Sequence, residues 1–141
     1  MFAEELKKKY NNIIIDGCDI FSQSIKIAKK KNIYRNLFKN SFEKKIKIFK
    51  KYDSVSMIGS MTYCNKPKTL LSLILSYLKK NGVFIFTHRI DLWKKQNFDS
   101  IIDSFHKSYT LNYKSRPLNY LPKNISFSNK VKIRIVILKK N

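Results

Sequence analysis

Three consecutive isoleucines, Ile13, Ile14 and Ile15, run into Asp16-Gly17-Cys18-Asp19-Ile20, and this stretch constrains the fold more than any other. An unbroken β-branched run offers no polar face to water. It predicts a strand over residues 13–18, buried in a parallel sheet. The strand closes on a carboxylate, Asp19, just before a helix start at Ser22. In nucleotide-binding α/β folds a carboxylate at that position hydrogen-bonds a ribose hydroxyl. Such a site also needs an earlier strand and a glycine-rich turn whose N–H groups hold the ligand's anionic part. No glycine lies among the residues before Ile13. The pattern is that of a nucleotide-binding sheet that begins one strand late.

At 141 residues the chain has the length of one domain, and 43% hydrophobic residues suffice for a core. No apolar run reaches the ~18 residues of a membrane span. Met1-Phe2-Ala3-Glu4-Glu5 lacks the basic-then-apolar order of a secretory signal. Cys18 and Cys64 have no metal-ligand spacing, and the expectation is a reducing, cytoplasmic setting with no metal. The net charge is +21. Lysine and arginine neutralise phosphate, so non-specific nucleic-acid binding is one reading. Scattered lysine, scarce arginine and abundant Ile and Asn favour compositional drift instead.

Residues 3–10 predict a short helix with its acids early and lysines late, as the helix dipole prefers. Ser22 is the expected N-cap of a helix over residues 23–31. Residues 36–39 suggest a short strand before Asn40-Ser41-Phe42, and residues 52–58 another that stops at Gly59. Pro67 opens a strong helix through Leu70, Leu71, Ile74, Tyr77 and Leu78, with Lys79 and Lys80 in its last turn and Asn81-Gly82 as a left-handed stop. A strand follows at residues 83–87. Phe98, Ile101, Ile102, Phe105 and Tyr109 keep helical spacing, and residues 109–113 turn strand-like. After an irregular stretch with Pro117 and Pro122, residues 131–138 alternate as a half-buried strand. Strands alternating with helices, then two strands with no helix between, give an α/β sheet with an antiparallel end.

These segments, in this order, resemble class I S-adenosylmethionine-dependent methyltransferases. Gly17-Cys18-Asp19-Ile20-Phe21-Ser22 looks like that family's second strand and following turn. Asn40-Ser41-Phe42 falls where the family has an Asp-containing turn facing the adenine. Tyr52-Asp53-Ser54-Val55 is similar to its lead into the fourth strand, and residues 78–85 to its Leu-Lys-Pro-Gly-Gly segment before the fifth. The family's first strand and Gly-x-Gly loop have no counterpart here, and its adenine-facing Asp is Asn40. The resemblance implies a Rossmann-like α/β sheet flanked by helices, N-terminally truncated, as a single partial domain over residues 1–141. It implies the C-terminal portion of an enzyme that transfers a methyl group from S-adenosylmethionine to an unidentified acceptor, a small molecule being slightly favoured. The chain alone is expected to be inactive and a poor binder of the cofactor. It is also expected to self-associate or to need a complementing N-terminal segment. The opposing reading is a non-catalytic basic module for RNA or an acidic partner.

The resemblance carries cofactor contacts onto Asp19 for the ribose, Ile20 and Asn40 for the adenine, and Ser41 and Gly59 beside them. Each has a plainer alternative: Asp19 capping its own turn, Ile20 filling a core, Gly59 ending a strand. His88 near a strand's carboxyl end is a weak general-base candidate beside Arg89 and Asp91, and Tyr63 and Cys64 are weaker still. No catalytic residue is assigned.

Overall fold

The structure, a computed structural model, describes residues 2–120 and 131–141. These cluster into two compact units, Met1–Lys47 and Ile48–Asn141.

The first unit holds helix α1 (Phe2–Lys9), strand β1 (Asp16–Asp19), helix α2 (Ser22–Lys30) and strand β2 (Asn36–Lys39). β1 and β2 pair in parallel, Asp16 opposite Asn36 and Asp19 opposite Lys39. Gly17 lets the strands close up: a Cβ there would lie 2.9 Å from Leu37 Cδ2 and 3.2 Å from Tyr34 Cε1. Asp16 accepts a bidentate pair from Arg35 Nε and Nη2, at 3.1 and 2.6 Å, and the Asn36 backbone N–H at 3.0 Å. Glu4 pairs with Lys31 at 2.8 Å, which ties α1 to the residue just past α2. That ammonium holds the Glu4 carboxyl down at about 2. No residue from 2 to 47 is fully buried.

Two expectations are corrected here. The strand predicted over residues 13–18 is Asp16–Asp19, and the isoleucine run stands before the ladder. β2 spans only four residues, so the ladder starts where Asn36 can face Asp16. Helix α2 starts at Ser22 with Phe21 as its N-cap and no side-chain cap bond, one residue earlier than predicted. The turn before it is held instead by Asp19.

The second unit holds β3 (Tyr52–Met57), α3 (Pro67–Tyr77), β4 (Leu78–Arg89), α4 (Ile90–Lys95), α5 (Phe98–Asp103), β5 (Tyr109–Lys114), β6 (Leu118–Asn119) and β7 (Lys132–Lys140). The sheet runs β3-β4-β7-β5, with β6 also on β7. β3 and β4 are parallel, while β4, β5 and β6 are antiparallel to β7. This is the expected antiparallel end. Leu70, Leu71, Ile74, Phe84, Phe86, Phe98, Val136 and Leu138 are buried in its core, and Phe84 stacks on Phe86 at 4.9 Å.

Helix α3 ends at Tyr77, so Lys79 and Lys80 belong to β4 rather than to a last helical turn. Leu78 is fully buried and faces Tyr52 in the ladder, which pulls it out of the helix. Asn81 has a left-handed φ of 62, but inside β4 and not at the helix stop expected of it. The Lys140 ammonium closes the helix end, donating to the carbonyls of Leu75 and Leu78 at 2.8 and 2.9 Å. Helix α5 stops at Asp103, short of the predicted Tyr109. Tyr109 opens β5, opposite Lys140, as expected for residues 109–113, and its hydroxyl donates to the Leu71 carbonyl at 3.1 Å. On β7 the buried residues are Val136 and Leu138, the face shared with Arg134, while Ile133, Ile135 and Ile137 are half-buried. Pro122 lies outside the described residues.

Phe86→Ala is expected to destabilise the second unit by about 3–5 kcal/mol, the usual range for emptying a buried phenylalanine site. Phe49→Ala, at a side chain 86% exposed, is expected to stay within about 0.5 kcal/mol of the parent. Urea unfolding followed by the single tryptophan, Trp93, measures both. Equal losses would contradict the placement of the core.

Candidate functional site

Parallel pairing brings the carboxyl ends of β1 and β2 side by side, so the residues that follow each strand become neighbours. The Asn40 N–H donates to the Asp19 carbonyl at 3.0 Å. Four of the five predicted cofactor residues, Asp19, Ile20, Asn40 and Ser41, therefore share this end of the first unit. Asp19 Oδ1 accepts the Phe21 N–H at 2.8 Å, so the carboxylate fixes the turn into α2. Among the described residues its Oδ2 accepts no hydrogen bond. Ile20 and Phe21 flank it with apolar side chains 57% and 69% exposed. Asn40 Oδ1 accepts the Ser41 N–H at 3.0 Å, and Ser41 Oγ accepts the Glu43 N–H at 3.3 Å. The Cys18 thiol donates to the Asn40 carbonyl at 3.2 Å, and burial pushes its pKa up. A raised thiol pKa argues against a nucleophile.

This arrangement suits the nucleoside end of a ligand. A carboxylate with one free oxygen can accept from a hydroxyl, and an exposed isoleucine can cover a ring face. The other end of such a cofactor carries a carboxylate and an amine. Those need a nest of backbone N–H groups at a glycine turn. Among the described residues of the first unit the single glycine is Gly17, inside β1.

Gly59, the fifth predicted residue, follows β3 in the second unit. Its φ is 81, a conformation that favours glycine, and its N–H donates to Thr87 Oγ1 at 2.8 Å. Thr62 Oγ1 accepts the Arg89 N–H at 3.1 Å and pins the short 3₁₀ turn Met61–Tyr63 to the end of β4. Sequence reasoning passed over Thr62 and Thr87. The available signal was a threonine closing the apolar run of β4, where a buried hydroxyl must find a partner.

His88 is fully buried, with a ring 4.6 Å from that of Phe98 and 5.6 Å from that of Trp93. Nδ1 lies 2.9 Å from the Arg89 carbonyl, and Nε2 lies 2.9 Å from Gln96 Oε1. Both ring nitrogens are engaged, so the side chain serves the core and is not placed to take a substrate proton. Arg89 is paired with Asp91 at 2.7 Å. Trp93 Nε1 donates to Asp99 Oδ2 at 2.9 Å, and the Arg134 guanidinium lies over the Trp93 ring, 5.3 Å from its centroid.

The Trp93 N–H, helped by the Lys114 ammonium, holds the Asp99 carboxyl below its ordinary value of 3.8. A depressed carboxylate pKa stabilises the fold above the unfolded value, and that contribution is lost as pH falls through the folded value. Trp93 emission is therefore expected to change in a step centred below pH 3.8. Asp99→Asn should remove the step. A midpoint at or above the ordinary value would contradict the pairing.

No family model and no curated protein matches the chain. Solved structures do share its architecture. The plantazolicin methyltransferase BpumL, in complex with a pentazolic desmethylPZN analog and SAH, is 16% identical with a TM-score of 0.72. That match covers 98% of this chain and 71% of that one. The N-methyltransferase NodS from Bradyrhizobium japonicum WM9, in complex with S-adenosyl-L-homocysteine, is 9% identical with a TM-score of 0.66, covering 90% and 66%. An rRNA methylase from Streptococcus thermophilus is 15% identical with a TM-score of 0.62, covering 90% and 73%. The chain thus spans roughly two thirds to three quarters of their lengths. At such identities the likeness is one of fold: the chain has a class I methyltransferase-like, Rossmann-like fold.

Proposed function

We propose that this chain carries the nucleoside-holding part of an S-adenosylmethionine-dependent methyltransferase. The carrying observation is the convergence of Asp19, Ile20, Asn40 and Ser41 at the carboxyl ends of two parallel strands, with one Asp19 oxygen free. The fold likeness to structures holding SAH or S-adenosyl-L-homocysteine supports the reading. Because those matches run over both units, the two are taken as parts of one methyltransferase-like domain. The bound cofactor supplies an electrophilic methyl group. The protein's share is position: a reacting pair held in line gains much of its rate from proximity. Asp19 Oδ2 accepts from a ribose hydroxyl, and Ile20 covers one face of the adenine. Ser41 lies beside the same ligand. Asn40 meets the adenine amine through the second lone pair of Oδ1, the first being taken by Ser41. No residue is given the role of general base.

A small-molecule acceptor is favoured by the neighbour that holds plantazolicin analogues. The alternative, a non-catalytic basic module for RNA or an acidic partner, is favoured by the net charge of +21. Binding of that kind would be blind to sequence and would weaken steeply with salt. Tight, sequence-selective RNA binding at high salt would promote it over methyl transfer. Cys18 and Cys64, neither in a disulfide, accord with a cytoplasmic, reducing setting, and among the described residues no helix is long and apolar enough to cross a membrane.

Titration of the chain with S-adenosylhomocysteine, followed by amide NMR, tests the reading. Weak binding is expected, with shifts at Asp19, Ile20, Phe21, Asn40 and Ser41. Asp19→Asn keeps an oxygen for the Phe21 N–H and puts a donating NH2 where the accepting Oδ2 stood, so both the charge and the acceptor are lost. It should weaken binding by about ten-fold, since a hydrogen bond to a charged group is worth ~1.5–3 kcal/mol. Unchanged affinity would remove Asp19 from the site. Micromolar affinity of the unaided chain would mean that the methionine end is held by a group other than a glycine turn.

A further inference from the structure

An arginine presents its Nε–H and one Nη as a fork that fits two oxygens of a carboxylate or phosphate. Arg35 uses that fork on Asp16, at 3.1 and 2.6 Å, and Arg89 uses it on Asp91, at 3.1 and 2.7 Å. Arg134 has no such partner. Among the described residues, its Nε is the buried side-chain nitrogen that meets no hydrogen-bond acceptor. Asp99 and Arg134 interact through charge alone, because both carboxylate oxygens are taken. Oδ2 accepts the Trp93 indole N–H at 2.9 Å, and Oδ1 accepts from the Lys114 ammonium at 3.0 Å. Residues 121–130, which precede β7 in the chain, contain no aspartate or glutamate. The guanidinium lies over the Trp93 ring, 5.3 Å from its centroid, which holds the cation without satisfying the Nε–H. A buried donor left unmet is costly, and in a native fold it asks for the group that completes it.

We propose that Arg134, backed by Trp93, is a binding site for a compact oxyanion, the phosphate or carboxylate group of a small molecule. The local charge favours that class of ligand. Arg134 and Lys114 set two positive charges against the one negative charge of Asp99, so an anion is drawn in. The place in the fold favours it as well. Arg134 stands opposite His88 in the ladder, one residue from the carboxyl end of β4 at Arg89. In α/β sheets ligands gather at the carboxyl ends of the strands. Arg134 is half-buried as a residue, so a small group reaches the guanidinium from its solvent side and turns the fork toward itself. The inference stands on the second unit alone and does not depend on methyl transfer.

The test reads the arginine Nε–H signals of the full chain by NMR during titration with inorganic phosphate, at constant ionic strength. The Arg134 signal is expected to shift saturably in the millimolar range. Those of Arg35 and Arg89 should hold still, because their forks are filled. Emission of Trp93, the single tryptophan, should change over the same concentrations. A parallel titration with acetate separates the sources: a shift with phosphate alone assigns a phosphate group, and a shift with both assigns any compact oxyanion. Arg134→Lys keeps the charge and loses the fork, so phosphate affinity should fall by about ten-fold or more. The net charge of +21 also gathers anions loosely, and that effect is the same in this variant. Asp99→Asn removes the opposing negative charge and should tighten phosphate binding. Three results would overturn the proposal. One is an unsaturating drift of every arginine signal together. Another is an equal phosphate response in the parent and Arg134→Lys. The last is a shift of Arg134 Nε with an oligouridylate lacking a terminal phosphate and none with inorganic phosphate.

Discussion

The second unit depends on β4 having two neighbours of opposite sense. It runs parallel to β3 on one side and antiparallel to β7 on the other. That double pairing makes β4 an interior strand and buries Phe84, Phe86 and His88 fully. It also fixes where helix α3 must stop, because Leu78 is needed in the ladder. Lys140, at the far end of β7, then reaches the helix carbonyls that the early stop leaves open. At the carboxyl end of β4 the same register brings Thr87 under the Gly59 turn. The first unit has no strand of this kind. Its two strands share one interface, and its apolar side chains remain at least partly in contact with solvent.

This contrast explains what was legible in the sequence. Helix α3, β4 and β7 were readable because their apolar residues face a real core, whereas β5 buries only Tyr109. β2 was readable as the short strand that leads to Asn40-Ser41-Phe42. The failures share a physical cause, in that tertiary pairing overrode local pattern. Lys79 and Lys80 look like a helix end but follow Leu78 into a strand. The helical spacing from Phe98 runs on to Tyr109, but the helix stops at Asp103 and Tyr109 serves only the strand also expected there. The isoleucine run looks like the centre of a strand, and the ladder begins after it.

The candidate site was legible in position more than in role. The sequence placed Asp19 and Asn40 after neighbouring strands, and the parallel pairing joins their ends. The structure adds that both side chains already work locally. Asp19 holds the turn into α2, and Asn40 holds the Ser41 N–H. A residue that caps a turn and contacts a ligand is positioned before the ligand arrives, which lowers the ordering cost of binding. His88 shows the converse. Its place after an apolar strand suggested chemistry, and its surroundings make it part of the core.

The central proposal is that this chain holds the nucleoside end of S-adenosylmethionine, while the described residues of the first unit offer no glycine turn to the amino-acid end. Saturation-transfer NMR on S-adenosylhomocysteine in the presence of the chain reads that asymmetry from the ligand's own protons. Strong transfer to the adenine and ribose protons, with little to the homocysteine chain, is the predicted result. Transfer that is equal along the ligand, or strongest on the homocysteine protons, would contradict it.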